Sequence, residues 1–128
     1  MKILGIGVDI IKNKRIQSSI KSKIFLKRTF GDNELEFSKK TLNKTNFFAK
    51  RFAAKEAFAK SLGTGFRNNL NFKDIEIIND NVGKPYYLRS KKIDQIIKKK
   101  FQVKKYDLFL SISDEKDYSI AFTILQKK

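Results

Sequence analysis

Histidine and cysteine are both absent from this 128-residue chain, and proline occurs once, at Pro85. Without cysteine there is no disulfide, thiolate nucleophile or sulfur-held metal, which suits a reducing compartment. Without histidine, Ser-His-Asp and Cys-His nucleophile activation, imidazole bases and the usual His/Cys zinc sites are excluded. Any catalysis must run on carboxylates, lysines, arginines, hydroxyls, backbone groups or a hard cation held by oxygen. Long hydrophobic runs are missing too. None approaches the roughly 20 residues that span a bilayer, and the first eleven residues are too broken by Gly5, Gly7 and Asp9 for a signal peptide. A soluble, cytoplasmic protein with no membrane contact is expected.

What the chain has in excess is positive charge, a formal +16 carried mostly by lysine. The lysine bias runs through the whole chain together with Ile, Asn and Phe, so it does not mark a selected arginine-rich reading surface. It still predicts an anionic partner, whether nucleic acid, acidic protein or phosphorylated ligand, drawn in by long-range steering. The length fits one domain, residues 1–128, able to bury roughly two-thirds of its unfolded surface. No repeat, linker or low-complexity tract divides it.

Periodicity predicts a continuous α+β domain. Ile3 to Ile11 is an apolar, β-branched run interrupted by glycine, a buried strand. Arg15 to Ile24 and then Ile24 to Phe30 are basic, with apolar residues near helical spacing, and Gly31 breaks the pattern. Asn33 followed by Glu36 carries a capping-box signature for a short helix through Lys40. The strongest element runs from Asn46, a good N-cap, to Leu62, with Gly63 as its stop. After a polar loop, Phe72 to Asn79 and Tyr86 to Arg89 read as strands around the 80–85 turn. Lys91 to Phe101 reads as an amphipathic helix, and Tyr106 to Ser113 with Tyr118 to Leu125 as a hairpin.

The long helix is apolar almost all round, which marks it as buried. Arg51 and Lys55 fall inside its phenylalanine arc, and Glu56 and Lys60 lie between the arcs. Charges there are unfavourable unless paired or bound to something charged. Glu56 and Lys60 either form an i,i+4 pair while the other two snorkel, or all four line an anion-and-metal site. Asp9 closes an otherwise apolar strand, either as the N-cap of the next helix or as a carboxylate aimed at a site. Gly5-Ile6-Gly7 is not a dinucleotide loop, because position 10 is Ile and no βαβ unit follows. Gly63-Thr64-Gly65 is a helix stop whose glycines would also let backbone approach a phosphate, and Gly83-Lys84-Pro85 is a hairpin turn.

GIGVDII followed by Arg15-Ile16, then RFAAKEAFAKSLGTGF at 51–66, NVGKPYY at 81–87 and LSISDEKDYSIAFTI at 110–124 resemble the holo-acyl-carrier-protein synthases. These are small phosphopantetheinyl transferases, and the motifs span nearly the whole chain in order. The resemblance implies the 4′-phosphopantetheinyl transferase fold, a small antiparallel sheet wrapped around a long buried central helix. It also implies trimers with active sites at subunit interfaces. The implied reaction is Mg²⁺-dependent transfer of phosphopantetheine from coenzyme A to a carrier-protein serine in fatty-acid synthesis. Asp9 and Glu56 take the positions of the Mg²⁺ ligands, and Lys60 that of the lysine on the coenzyme A phosphates. Arg51, Lys55, Gly63, Thr64, Gly65, Lys84 and Pro85 resemble residues near the nucleotide end. Arg15, with Lys21, Lys23 and Arg28 after it, resembles the surface that receives an acidic carrier helix.

One position departs from the pattern. Asp114 stands where the family carries a histidine near the coenzyme A phosphates. A carboxylate there repels phosphate unless it turns away, adds a metal ligand, or is offset by Lys84 or Lys116. Two other readings stay open on sequence: a basic nucleic-acid-binding module resting on charge alone, and a catalytically retired scaffold prompted by Asp114.

Overall fold

The computed structural model describes residues 1–67 and 69–128. In chain order the elements are β1 (Lys2–Lys12), α1 (Asn13–Ser19), α2 (Lys23–Thr29), α3 (Asp32–Ser38) and α4 (Lys44–Leu62). A 3₁₀ turn (Phe72–Asp74), β2 (Ile77–Asn79), β3 (Pro85–Tyr87), α5 (Lys91–Phe101), β4 (Tyr106–Asp114) and β5 (Tyr118–Lys127) follow. The expected α+β architecture is what forms.

The main sheet is antiparallel in the order β1-β5-β4, and β2 pairs with β3 in a separate two-stranded ribbon. Strand residues alternate between faces, and here the alternation is sharp. Gly5, Gly7, Asp9 and Ile11 of β1 face inward with Ser119, Ala121, Thr123 and Leu125 of β5. The inner face packs against α4, whose apolar circumference the rest of the chain encloses. Phe47, Phe48, Phe58 and Leu62 share this core with Phe30, Ile77, Ile97 and Leu125. Tyr87 ties the layers, donating to the Ala54 carbonyl at 2.7 Å while its hydroxyl meets Thr123 Oγ1 at 2.6 Å.

Local chemistry shifted several boundaries. Asn43, not Asn46, caps α4, its side chain accepting from the Asn46 amide at 3.1 Å; such a cap stabilises by about 1 kcal/mol. Gly63 ends α4 at φ +79°, a conformation that glycine adopts without strain. The two basic segments divide before Lys23 rather than at Ile24, because the Ser22 side chain caps α2 and restarts the turn. α3 begins after Gly31, with Glu34 rather than Glu36 closing back onto the Gly31 amide. The expected 72–79 strand is a 3₁₀ turn followed by a three-residue strand. Asp9 is not a helix cap: α1 starts after Lys12, and Asp9 sits mid-strand opposite Ala121.

Candidate active site

α4 lies on β1 through a row of small residues. Ser61 meets Gly5 and Ala57 meets Gly7, backbone against backbone. Four helical residues rise about 6 Å, and two strand residues about 6.6 Å, so the two ladders stay in step. Two residues past Gly7, the ladder brings Asp9 level with Ala53, less than a turn from Glu56, and the long Lys60 side chain reaches back along the helix to it. Glu56 and Lys60 each precede a row residue, about 100° round the helix, and open on the same flank as Asp9.

Lys60 does not pair with Glu56. Its Nζ donates to Asp9 Oδ1 at 3.1 Å and to the Val8 carbonyl at 3.0 Å. The ammonium end is half-exposed and Asp9 mostly covered. Burial and the nearby Asp9 charge push the Glu56 carboxyl above its ordinary value, with Lys60 and Arg15 pulling the other way. Two carboxylates and a half-exposed ammonium thus lie together on one flank of α4. Arg15, expected to face only a partner, also sends its charge to Glu56.

The remaining expected ligands divide. Lys55 is withdrawn from any ligand-binding role: it is fully buried, its Nζ donating to Glu34 Oε1 at 2.6 Å and to the Phe72 and Ile75 carbonyls. All three ammonium protons are used inside the fold. Arg51 is buried, lies over the Phe47 ring at 3.7 Å and donates to Asn79 Oδ1 at 2.7 Å. Burial draws its guanidinium down to about 10, offset by the Glu34 charge. Its Nε is the buried side-chain polar atom left without a partner among the described residues, which suits an anion arriving there. Asn79 also donates to the Gly83 carbonyl, linking Arg51 to the turn that carries Lys84 and Pro85.

Asp114 turns to the opposite end of α4, where Asn46 Nδ2 donates to its Oδ2 at 2.8 Å and to the Glu115 carbonyl at 3.2 Å. Asn46 and Glu56 stand roughly 15 Å apart along the helix. Within one chain Asp114 is therefore no third ligand beside Asp9 and Glu56. Gly63, Thr64 and Gly65 form the exposed-to-half-buried turn at the near end. Arg15, Lys21, Lys23 and Arg28 are exposed and have no ion-pair partner among the described residues. Sequence reasoning missed Glu34, Asn79 and Asn46; the Gly31–Glu34 spacing was the available signal for the first.

No group of three or more His, Cys, Asp or Glu residues that could hold a metal occurs among the described residues. The Asp9–Glu56 pair instead fits a hard cation that takes most of its oxygens from substrate and water, the usual habit of Mg²⁺.

Comparison with known proteins gives one answer. The family described as the 4′-phosphopantetheinyl transferase superfamily matches residues 5–123. A holo-[acyl-carrier-protein] synthase of Pelagibacter ubique is 59% identical over 128 residues, covering all of both chains. One from Ehrlichia chaffeensis is 46% identical, covering 96% of each. Among solved structures, the Neisseria meningitidis synthase superposes with a TM-score of 0.87 at 37% identity, covering 98% of this chain and 99% of that one. The Bacillus anthracis synthase, in complex with CoA (3′,5′-ADP), gives 0.83 at 35% identity with full coverage of both. The nucleic-acid module read from charge finds no support in any of them. No helix among the described residues is long and apolar enough to cross a membrane.

Proposed function

The chain belongs to the 4′-phosphopantetheinyl transferase superfamily, as a holo-[acyl-carrier-protein] synthase, and from that premise we propose how its residues work. The enzyme moves 4′-phosphopantetheine from coenzyme A to a serine hydroxyl of an apo-acyl carrier protein. Adenosine 3′,5′-bisphosphate leaves, and the product serves fatty-acid synthesis in the cytoplasm. Residues 1–128 act as one transferase domain. The observation that carries this reading is the meeting of Asp9, Glu56 and Lys60, distant in sequence, on one flank of α4.

Asp9 and Glu56 would hold Mg²⁺, which supplies positive charge to a diphosphate as its bridging bond breaks. Lys60 leaves Asp9 and neutralises the oxygens of the departing bisphosphate. The serine oxygen bonds to the phosphorus bearing pantetheine, and the bridging oxygen leaves with the nucleotide. Glu56 takes the serine proton directly or through a metal-bound water. Arg51, with its unsatisfied Nε, and the Lys84–Pro85 turn receive the nucleotide's further phosphate. Incubation with coenzyme A, Mg²⁺ and apo carrier protein tests this by mass. One phosphopantetheine added to the carrier serine, and none without Mg²⁺, is expected; an unmodified carrier overturns it in favour of a retired scaffold.

The Asp114–Asn46 contact lies well along α4 from Asp9, Glu56 and Lys60, which favours sites completed by neighbouring copies. Ile6, Val8, Ile10, Phe109, Ile120 and Phe122 form an exposed apolar patch on the outer face of the main sheet. A contiguous patch of this kind on a small protein marks an interface, and its occupant here is a second copy within a trimer. Phe122→Asp, at the middle of the patch, is expected to run as a monomer by light scattering and to lose most turnover.

The exposed Arg15, Lys21, Lys23 and Arg28 form the surface for the acidic carrier. Arg15→Glu is expected to raise the carrier KM about tenfold, as loss of a steering charge does, while sparing the coenzyme A KM. Because Arg15 also lowers the Glu56 carboxyl, kcat should fall as well, and steady-state kinetics against each substrate separates the effects.

A further inference from the structure

The inward residues of the main sheet change in size across its three strands. One row reads Gly7, Thr123, Leu110, the row beside it Gly5, Leu125, Leu108, and the row beyond Asp9, Ala121, Ile112. The layer beneath α4 is thus thin under β1 and thick under β4. A helix resting on such a wedge leans onto β1, the strand that carries Asp9. The contact is as close as backbones allow. A Cβ on Gly7 would overlap the Ala57 carbonyl oxygen and stand 2.9 Å from the Ser61 amide nitrogen, and one on Gly5 would overlap the Ser61 carbonyl oxygen. These obstacles are helix backbone and cannot rotate away. By contrast, a Cβ on Gly31 would meet only the Glu76 side chain.

Glycine weakens a strand interior unless another backbone must approach there. Two at successive inward positions, followed at the next by Asp9, give the weakness a use. We propose that Gly7, assisted by Gly5, is a positioning residue for the transfer reaction: by letting α4 lie directly on β1, it sets the separation of Asp9 from Glu56 and Lys60. This rests on the reading of Asp9 and Glu56 as the cation-holding pair. Any side chain at position 7 must lift the helix turn bearing Ala57, and Glu56 rises with it while Asp9 stays in the sheet. Displacement by about 1 Å at a reacting centre lowers rates on the order of a hundredfold.

The test uses full-length Gly7→Ala and Ile97→Ala, the latter a buried truncation on α5 that controls for lost stability. Circular dichroism and melting temperature establish that both are folded at the assay temperature. Mn²⁺ binding in the presence of coenzyme A, read by electron paramagnetic resonance, reports on the cation pair without turnover. Gly7→Ala is expected to lose about a hundredfold in kcat and to bind Mn²⁺ at least about tenfold more weakly, while Ile97→Ala keeps both near the parent. If Gly7→Ala binds Mn²⁺ and turns over like Ile97→Ala, the glycine is merely structural and the proposal is overturned. Should Gly7→Ala fail to fold, Gly5→Ala, which pushes on the turn after Lys60, decides by the same comparison. Asp9→Asn and Glu56→Gln in the unaltered glycine background keep the two ideas apart. Normal Mn²⁺ binding in those variants sinks the site assignment itself, whereas their failure beside an unaffected Gly7→Ala sinks only the positioning role.

Discussion

Glu56→Gln is expected to fold, to turn over on the order of a hundredfold or more slower than the parent, and to melt higher in metal-free buffer at neutral pH. The loss of rate follows from removing one of two carboxylates that lie together on one flank of α4. The gain in stability follows from the burial and the Asp9 charge that hold the Glu56 carboxyl above its ordinary value. A carboxyl raised in this way favours the folded state where it is protonated, and that contribution disappears as pH rises through the raised value. At neutral pH the ionised group opposes folding, and glutamine does not. The melting difference between variant and parent should therefore grow from pH 4 to pH 7. Mg²⁺ with coenzyme A should stabilise the parent by mass action and leave the variant unmoved. Near-parental activity in Glu56→Gln would show that the cation pair has been misassigned.

Lys55→Met should be the most destabilising single change on α4, lowering stability by about 3–5 kcal/mol, as breaking a buried pair does. Lys55 and Glu34 both have fully buried side chains. Burial pushes the Glu34 carboxyl up and the Lys55 ammonium down, each offset by the other's charge. Such pairs often tolerate replacement of both members by apolar groups, but this one should not. Glu34 also accepts from the Gly31 and Ile77 amides, and Lys55 donates to the Phe72 and Ile75 carbonyls. Removing both leaves the Gly31 and Ile77 amides and the Ile75 carbonyl unpaired, at about 1–3 kcal/mol each, while the Phe72 carbonyl keeps the Ile75 amide. Urea unfolding of Lys55→Met, Glu34→Leu and the double variant measures this. Recovery of parental stability in the double variant would show that the backbone contacts contribute little.

Asp9, Glu56 and Lys60 were legible because charge stands out against an apolar strand and an apolar helix. The main sheet was legible for a related reason, the alternation in 106–113 and 118–125. What sequence could not show was which charge meets which. Lys55 inside the phenylalanine arc and Lys60 between the arcs were both read as ligands, yet one is sealed against Glu34 and the other reaches out to Asp9. The difference lies in α3, whose true start at Gly31 was hidden by the capping signature at Asn33 and Glu36. Asp114 likewise gave no sign of its partner, since Asn46 was read as a cap rather than as a side-chain donor. Gly5 and Gly7 were visible as interruptions in a strand, but their function depends on a helix some fifty residues later in the chain.

The strand at the centre of the main sheet is also the last to be made. β5 lies between β1 and β4, so the first strand cannot join the sheet until Tyr118–Lys127 has been made. Until then α4 has β1 but lacks the β5 part of the layer that it packs on, and a nascent chain in that state is open to aggregation. Its many contacts between distant parts of the sequence also slow closure once the chain is free. Closure of the main sheet thus waits on β5, and a chain stopped short of Tyr118 should emerge as a substrate for chaperones rather than as a weakened enzyme.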